Sequence, residues 1–131
     1  MRRVIISLLT LLLFAGFLAA KSGATIADET GSGSTIFRRG NFPKEGWKGN
    51  NPHAPDWAPE NPLTTPNFPR DYGLPPGNST PIPDWVVGGR LRPGANFRVE
   101  PAPGIPPNPG GKLQVTVPNP NDVRLNYFHM P

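Results

Sequence analysis

The positions of the prolines constrain this chain more than any other feature. All 20 of them lie between Pro43 and Pro131, in a chain of 131 residues. Each proline lacks an amide donor and fixes its own φ angle, and each biases the preceding residue away from the helical region. Long helices are therefore excluded over this stretch, and central strands are excluded over most of it.

A low content of large apolar residues supports the same interpretation. After residue 20, Leu, Ile, Val and Phe make up 20 of 111 residues, and no cysteine is present to reinforce a small core with disulfides. Burial on this scale does not offset an ordering cost of about 1–2 kcal/mol per residue. We therefore expect a mostly disordered, proline-rich chain in polyproline II and coil conformations.

The N-terminus has the layout of a signal peptide. Arg2 and Arg3 precede an apolar run that ends at Phe17, and small residues follow up to Ala20. The run is shorter than the roughly 20 residues that a membrane-spanning helix needs. We predict a helical leader that is cut after Ala20, with Ala24 as the alternative, and a secreted, extracellular chain without a stable membrane anchor.

Charge argues against a nucleic-acid partner. Loss of the leader removes Arg2 and Arg3, which leaves 11 of the 13 Lys and Arg residues against 9 Asp and Glu. Nucleic-acid binding requires a concentrated basic surface, whereas charges of both signs alternate along this chain. We expect a monomer whose partner is a protein target or receptor, or a microbial target.

Composition divides the chain into four regions. The proline-rich region contains a degenerate repeat, since Asn-Phe-Pro-Lys-Glu at 41–45 recurs as Asn-Phe-Pro-Arg-Asp at 67–71, and Pro-Asp-Trp at 55–57 recurs at 83–85. In the tail, two β-prone segments, 113–117 and 123–128, flank strong turn residues, which favours a small hairpin. The regions are a signal peptide (1–20), a flexible spacer or propeptide (21–39), the repeat region (40–111) and a possible β-hairpin tail (112–131).

Several basic residues are candidate processing sites. Arg38 and Arg39 form a dibasic pair next to a Gly- and Ser-rich segment, where proteolysis concentrates. Arg90 and Lys112 each follow a Gly-Gly pair, so that cleavage there leaves a C-terminal glycine suited to amidation. The alternative is that the two Gly pairs are turns beside β-prone stretches.

Two residues are candidates for modification. Asn78 begins an Asn-Ser-Thr sequon for N-glycosylation. Tyr72 follows Asp71, and a carboxylate beside a tyrosine suits tyrosine sulfation. Both predictions assume that the side chains are exposed in an extended chain.

Aromatic and basic residues are the predicted binding groups. Trp, Tyr and Arg are the usual anchors of protein interfaces, and extended polyproline segments bind at low entropic cost. In an extended chain every such side chain is available to a partner; the alternative is that the aromatic rings stack transiently on neighbouring prolines within each repeat. The binding candidates are therefore Trp47, Trp57, Trp85, Arg92 and Arg98.

Catalysis finds little support in the sequence. His53 and His129 lie in proline-rich surroundings, with no predicted rigid element to position them, and catalytic groups require such support. We predict no enzyme activity, no metal site and no cofactor. The sequence favours a host-defence (antimicrobial) peptide or its precursor; the alternatives are a precursor of secreted signalling peptides and a structural component of a matrix, cell wall or secretion.

Overall fold

The computed structural model describes residues 34–131, and β-strands predominate in this part of the chain. One four-residue helix and two short 3-10 helices accompany the strands, and no helix among these residues is long and apolar enough to cross a bilayer. The elements are β1 (Ile36–Gly40), β2 (Asp56–Trp57), α1 (Phe68–Asp71), η1 (Pro76–Asn78), β3 (Trp85–Leu91), β4 (Arg98–Pro101), β5 (Leu113–Thr116), η2 (Pro120–Asp122) and β6 (Val123–His129).

The strands form two antiparallel sheets that are joined along one edge. The first sheet has the order β1-β3-β6 and the second the order β2-β5-β4. Phe37 in β1 and Ala58, just after β2, exchange backbone hydrogen bonds of 2.7 and 2.8 Å. The edge strand of each sheet thus lies beside the edge strand of the other.

The prolines border the strands instead of interrupting them. Five of the six described strands contain no proline; among them, β3 lies between Pro83 and Pro93, β5 between Pro109 and Pro118, and β6 between Pro120 and Pro131. The proline of β4 is its last residue, and β4 is an edge strand, where a missing amide donor is tolerated. Prolines also occupy the first turn of α1, η1 and η2, where helices tolerate them.

Two apolar clusters form the core. The larger one lies between the sheets and consists of Ile36, Leu91 and Val123 from the first sheet against Trp57, Val115 and Val117 from β2, β5 and the residue after β5. The smaller one lies beneath α1 and consists of Ala58, Phe68, Tyr72 and Ala102. In both, burial of apolar side chains supplies the main stabilising free energy.

The expectation of a mostly disordered, proline-rich coil is wrong for residues 34–131. Apolar content averaged over the chain underestimates burial, because the few large apolar residues are concentrated in the strands. Ile36, Val86, Val115 and Val117 are each at most 1% exposed. Within the described sheets a proline occurs only at the end of the edge strand β4, and the others lie outside the strands, so their missing amide donors cost the sheets little.

The predicted C-terminal hairpin is also wrong. Both of its segments are strands, β5 and β6, but they belong to different sheets: β5 pairs with β2 and β4, and β6 pairs with β3. The end of the predicted spacer, residues 36–39, lies in β1. The predicted leader, its helix and its cleavage after Ala20 lie outside the described residues.

The two copies of the sequence repeat adopt different structures. Residues 67–71 hold α1, whereas residues 41–45 lie in a loop closed by the Lys44–Trp47 bridge. Likewise Asp56-Trp57 forms β2 of the second sheet, and the corresponding Trp85 begins β3 of the first sheet. The repeat is therefore one of sequence and not of structure.

Candidate functional site

A cavity lies where the two sheets join. Its walls come from β1, β2 and β5, from the loop over residues 47–54, and from the segment between α1 and η1, and its volume is about 380 Å³. We call it the aromatic cavity, because five aromatic side chains line it: Phe37, Trp47, Trp57, Phe68 and Tyr72. The polar side chains in its wall are Arg38, Arg39, Asn50, Asn51, Asp56, Asn78 and Gln114.

Arg38 is held against one wall of the aromatic cavity. Its guanidinium carbon lies 5.3 Å from the ring centroid of Trp57, within the range of a cation–π interaction, and its Nη2 donates to the carbonyl of Asn51 at 2.9 Å. Burial lowers the pKa of Arg38, and the negative charge of Asp56 partly opposes that shift. Arg38 therefore already has both an aromatic and an anionic neighbour.

Asp56 is fixed by hydrogen bonds from the neighbouring strand. Its Oδ1 accepts from Gln114 Nε2 and from Thr116 Oγ1, each at 3.3 Å. These bonds follow from the register of β2 with β5, in which Asp56 and Thr116 are partners. The carboxylate is consequently a positioned part of the wall.

Trp47 closes the aromatic cavity from the loop side. Its Nε1 is buried and has no hydrogen-bond partner among the described residues. A buried donor without an acceptor costs about 1–3 kcal/mol, so this indole is poised to gain from an acceptor. The ring lies directly on Gly77, where a Cβ atom would come within 2.1 Å of Trp47 Cδ2.

Tyr72 of the aromatic wall forms a hydrogen-bonded group with Glu60 and Lys112. Tyr72 Oη donates to Glu60 Oε1 at 2.7 Å, and Lys112 Nζ lies 2.9 Å from the same oxygen. Burial, with the hydrogen bond to Glu60, raises the pKa of Tyr72 well above its ordinary value. Burial of Glu60 favours its protonated form, but the bonds from Tyr72 and Lys112 outweigh this and lower the pKa of Glu60.

Arg39 lies deeper, at the border of a second cavity. It is 3% exposed, and it lines both the aromatic cavity and a more open space of about 570 Å³ beside α1. Phe68 also lines both. The second cavity is walled mainly by proline, threonine and other residues of the loops and of α1, among them Pro62, Leu63, Thr64, Thr65, Pro66, Asn67, Pro69, Arg70, Ser79, Pro81 and Asn108.

The fold brings together only two of the predicted binding residues. Trp47 and Trp57 line the same cavity, although they are ten positions apart in sequence. Trp85 lies elsewhere, with its ring across Gly40. The two predicted binding arginines are also away from the aromatic cavity: Arg92 Nε donates to the carbonyl of Asn121 at 2.7 Å, and Arg98 pairs with Glu100 at 3.5 Å on the surface.

The predicted processing residues lie on or near strands. Arg38 and Arg39 belong to β1, and Arg90 is an exposed residue of the central strand β3. Lys112 precedes β5 and pairs with Glu60. Cleavage at these positions stays a prediction, and in the folded chain it requires local opening of a sheet.

The two predicted modification sites have buried side chains. Asn78 is 3% exposed and is hydrogen-bonded to Arg39, and Tyr72 is 6% exposed with its hydroxyl on Glu60. Glycosylation and sulfation stay predictions, and both require the side chain to be reached before folding or after local opening.

The position of β1 in the wall of the aromatic cavity is not predicted from the sequence. Ile36, Phe37 and the two arginines were assigned to a spacer, although a β-branched residue followed by an aromatic one is typical of strands.

Within residues 34–131, His, Asp and Glu side chains form no group of three that could hold a metal ion. Comparisons with models of protein families, with curated proteins and with solved structures find no match for this chain.

Proposed function

We propose that this chain is a non-enzymatic domain that binds a small, planar organic molecule in the aromatic cavity. One observation carries the proposal: the junction of the sheets forms a half-open concave space of about 380 Å³ between aromatic side chains and a few fixed polar groups. Small-molecule sites have this combination of concave apolar walls and a small number of positioned polar atoms. The second cavity is larger but lacks a comparable aromatic lining.

The wall indicates the chemistry of the ligand. Flat rings gain from stacking or edge contacts with Trp47 and Trp57. The unpaired Nε1 of Trp47 favours a ligand that carries a hydrogen-bond acceptor. We infer a planar, acceptor-bearing compound in preference to a purely aliphatic one.

This proposal differs from the functions favoured by the sequence. The antimicrobial and signalling-precursor hypotheses relied on an extended chain in which aromatic and basic residues are freely available. In the described residues Trp57, Tyr72 and Arg39 are buried in the β-structure, whereas Arg92 and Arg98 are exposed. Secretion remains a prediction from the leader, and it is compatible with a ligand-binding domain.

Binding is tested by isothermal titration calorimetry with a neutral probe, naphthalene-2-carboxamide, which combines a planar ring system with an acceptor. We expect saturable binding that weakens about tenfold or more in Trp47→Ala, because that change removes both the stacking surface and the Nε1 donor. Trp85→Ala is the matched control, since Trp85 is similarly half-buried but lies outside the cavity. The proposal is contradicted if the two variants lose affinity for the probe equally, if the wild type does not bind the probe, or if the probe is turned over.

A further inference from the structure

Arg39 is a buried cation whose hydrogen-bond partners are all neutral. Its Nε donates to Asn78 Oδ1 at 3.3 Å, and its Nη2 donates to Asn41 Oδ1 at 3.3 Å and to Thr80 Oγ1 at 3.0 Å. No carboxylate of the described residues lies within ion-pair distance of it. Its Nη1 has no hydrogen-bond partner in the same part of the chain.

The charge of Arg39 is partly compensated by Asp84, which is linked to it through Asn41. Asp84 Oδ2 accepts from Asn41 Nδ2 at 3.1 Å and from the amide of Phe42 at 2.7 Å, so Asn41 stands between Asp84 and Arg39. Burial lowers the pKa of Arg39 to about 10, and the attraction of Asp84 opposes that shift only in part. The guanidinium is therefore charged at neutral pH but incompletely compensated.

Buried charges in proteins are ordinarily paired, because an unpaired one is costly to remove from water. Neither Arg38 nor Arg39 has a carboxylate of the described residues within ion-pair distance, but Arg38 is less buried and lies over the Trp57 ring. Arg39 is 3% exposed and borders both cavities. An anionic group that enters either cavity would supply the negative charge that the surrounding protein does not place beside Arg39.

We propose that Arg39 is an anion-binding residue of the ligand site, so that the planar ligand carries an anionic oxygen group, a carboxylate or a phosphate. This inference rests on the proposed function, because it specifies the ligand of the same site. The anion accepts from the guanidinium beside the aromatic cavity, while the ring system lies between Trp47 and Trp57. Charge-assisted hydrogen bonds of this kind are roughly twice as strong as neutral ones.

The test compares three probes that share one ring system: naphthalene-2-carboxylate, naphthalene-2-carboxamide and 2-naphthyl phosphate. In calorimetric titrations of the full chain near pH 7.5 at low salt, we expect the better of the two anions to bind about tenfold or more tightly than the neutral amide. The comparison between the two anions assigns carboxylate or phosphate. Equal affinity for anions and amide overturns the inference but leaves the proposed function intact, whereas no binding of any probe overturns both.

Variants assign the preference to a residue. Arg39→Gln is expected to abolish the preference for the anion while the amide still binds. Arg90→Gln is the matched control, because it makes the same change in net charge at an exposed position. A preference that survives Arg39→Gln, or that only Arg38→Gln removes, refutes the assignment to Arg39.

Loss of the buried hydrogen bonds could unfold Arg39→Gln, so a second variant is included. Arg39→Lys keeps the charge but loses the planar arrangement of donors. We expect it to retain a preference for the anion that is several-fold smaller than that of the wild type. A preference for the anion in Arg39→Lys as large as that of the wild type contradicts the expected contribution of the planar guanidinium donors, and the wild-type comparison of the three probes decides whether an anion is preferred at all.

Discussion

Asn78 and Arg39 are joined by two hydrogen bonds: Arg39 Nε donates to Asn78 Oδ1, and Asn78 Nδ2 donates to the main-chain carbonyl of Arg39, each at 3.3 Å. The pair ties η1 to β1 in the interior. The sequon asparagine and the second arginine of the dibasic pair therefore stabilise each other in the folded chain. Any enzyme that modifies or cuts at these positions must act on a chain that is open there.

Limited proteolysis should reveal this protection. With a low concentration of trypsin we expect the bonds after Arg38 and Arg39 to be cut at least about tenfold more slowly than the bond after Lys48, because backbone in a strand must open before a protease binds it. Lys48 lies exposed in the loop. Mass spectrometry of samples taken at early time points measures the order in which these bonds are cut. Cleavage in β1 that is as fast as at Lys48 would show that β1 is not stably paired.

The core between the sheets should dominate stability. Ile36→Ala is expected to lower the free energy of unfolding by about 2–5 kcal/mol, because Ile36 is 1% exposed and truncation leaves a cavity. Ile82→Ala is the matched control: Ile82 is 67% exposed, so its loss should cost less than about 0.5 kcal/mol. Urea unfolding followed by tryptophan fluorescence measures both. Similar effects of the two substitutions, or the lack of a cooperative transition, would contradict the fold.

Tyr72 should make the protein sensitive to alkali. Its pKa is raised in the folded state by burial and by the bond to Glu60, so the folded chain holds the phenol proton more tightly than the unfolded chain does. This contribution to stability is complete below the ordinary tyrosine pKa near 10 and is lost as the pH rises above it.

The measurement is chemical denaturation between pH 8 and 11. Tyr72→Phe should be less stable than wild type near neutral pH, because the bond to Glu60 is lost, but its stability should fall less steeply above pH 10. Tyr127→Phe, at a more exposed tyrosine, should keep the wild-type slope. Identical slopes for wild type and Tyr72→Phe would exclude this role for Tyr72.

Gly77 should control the position of Trp47. An alanine Cβ at residue 77 would overlap the indole, so Gly77→Ala is expected to displace the ring and to weaken binding of naphthalene-2-carboxamide by about tenfold. Gly94→Ala is the control, because its strain comes from a φ of 79° and no atom lies near its Cβ position. It should lower stability without changing affinity. Unchanged affinity in Gly77→Ala would argue against a role for the Trp47 ring in the site.

Local sequence patterns predicted individual strands better than their arrangement. The alternation of apolar and polar residues over 113–117 and the β-prone residues of 123–128 correspond to β5 and β6. Their partners could not be predicted, because pairing of β6 with β3 depends on contacts between segments that are distant in sequence. A local turn between β5 and β6 made a hairpin the simplest choice, and tertiary packing overrode it.

The aromatic cavity was beyond sequence analysis for a similar reason. Trp47 and Trp57 were identified as binding residues from residue type alone, but nothing in the sequence indicates that they face the same space. Arg39 was interpreted as half of a protease site, since dibasic pairs in polar segments are usually exposed. Its burial follows from the pairing of β1 with β3 and from η1 and the residues after it, which supply Asn78 and Thr80.

The prolines that border the strands also affect the state from which the chain folds. Because each one restricts its backbone before any contact is made, the unfolded ensemble has fewer conformations to lose. The conformational entropy that the loops lose on folding is therefore smaller. A chain with a modest apolar interior and no crosslinks can then reach a unique structure, with its rigidity supplied by the connections as much as by the sheets.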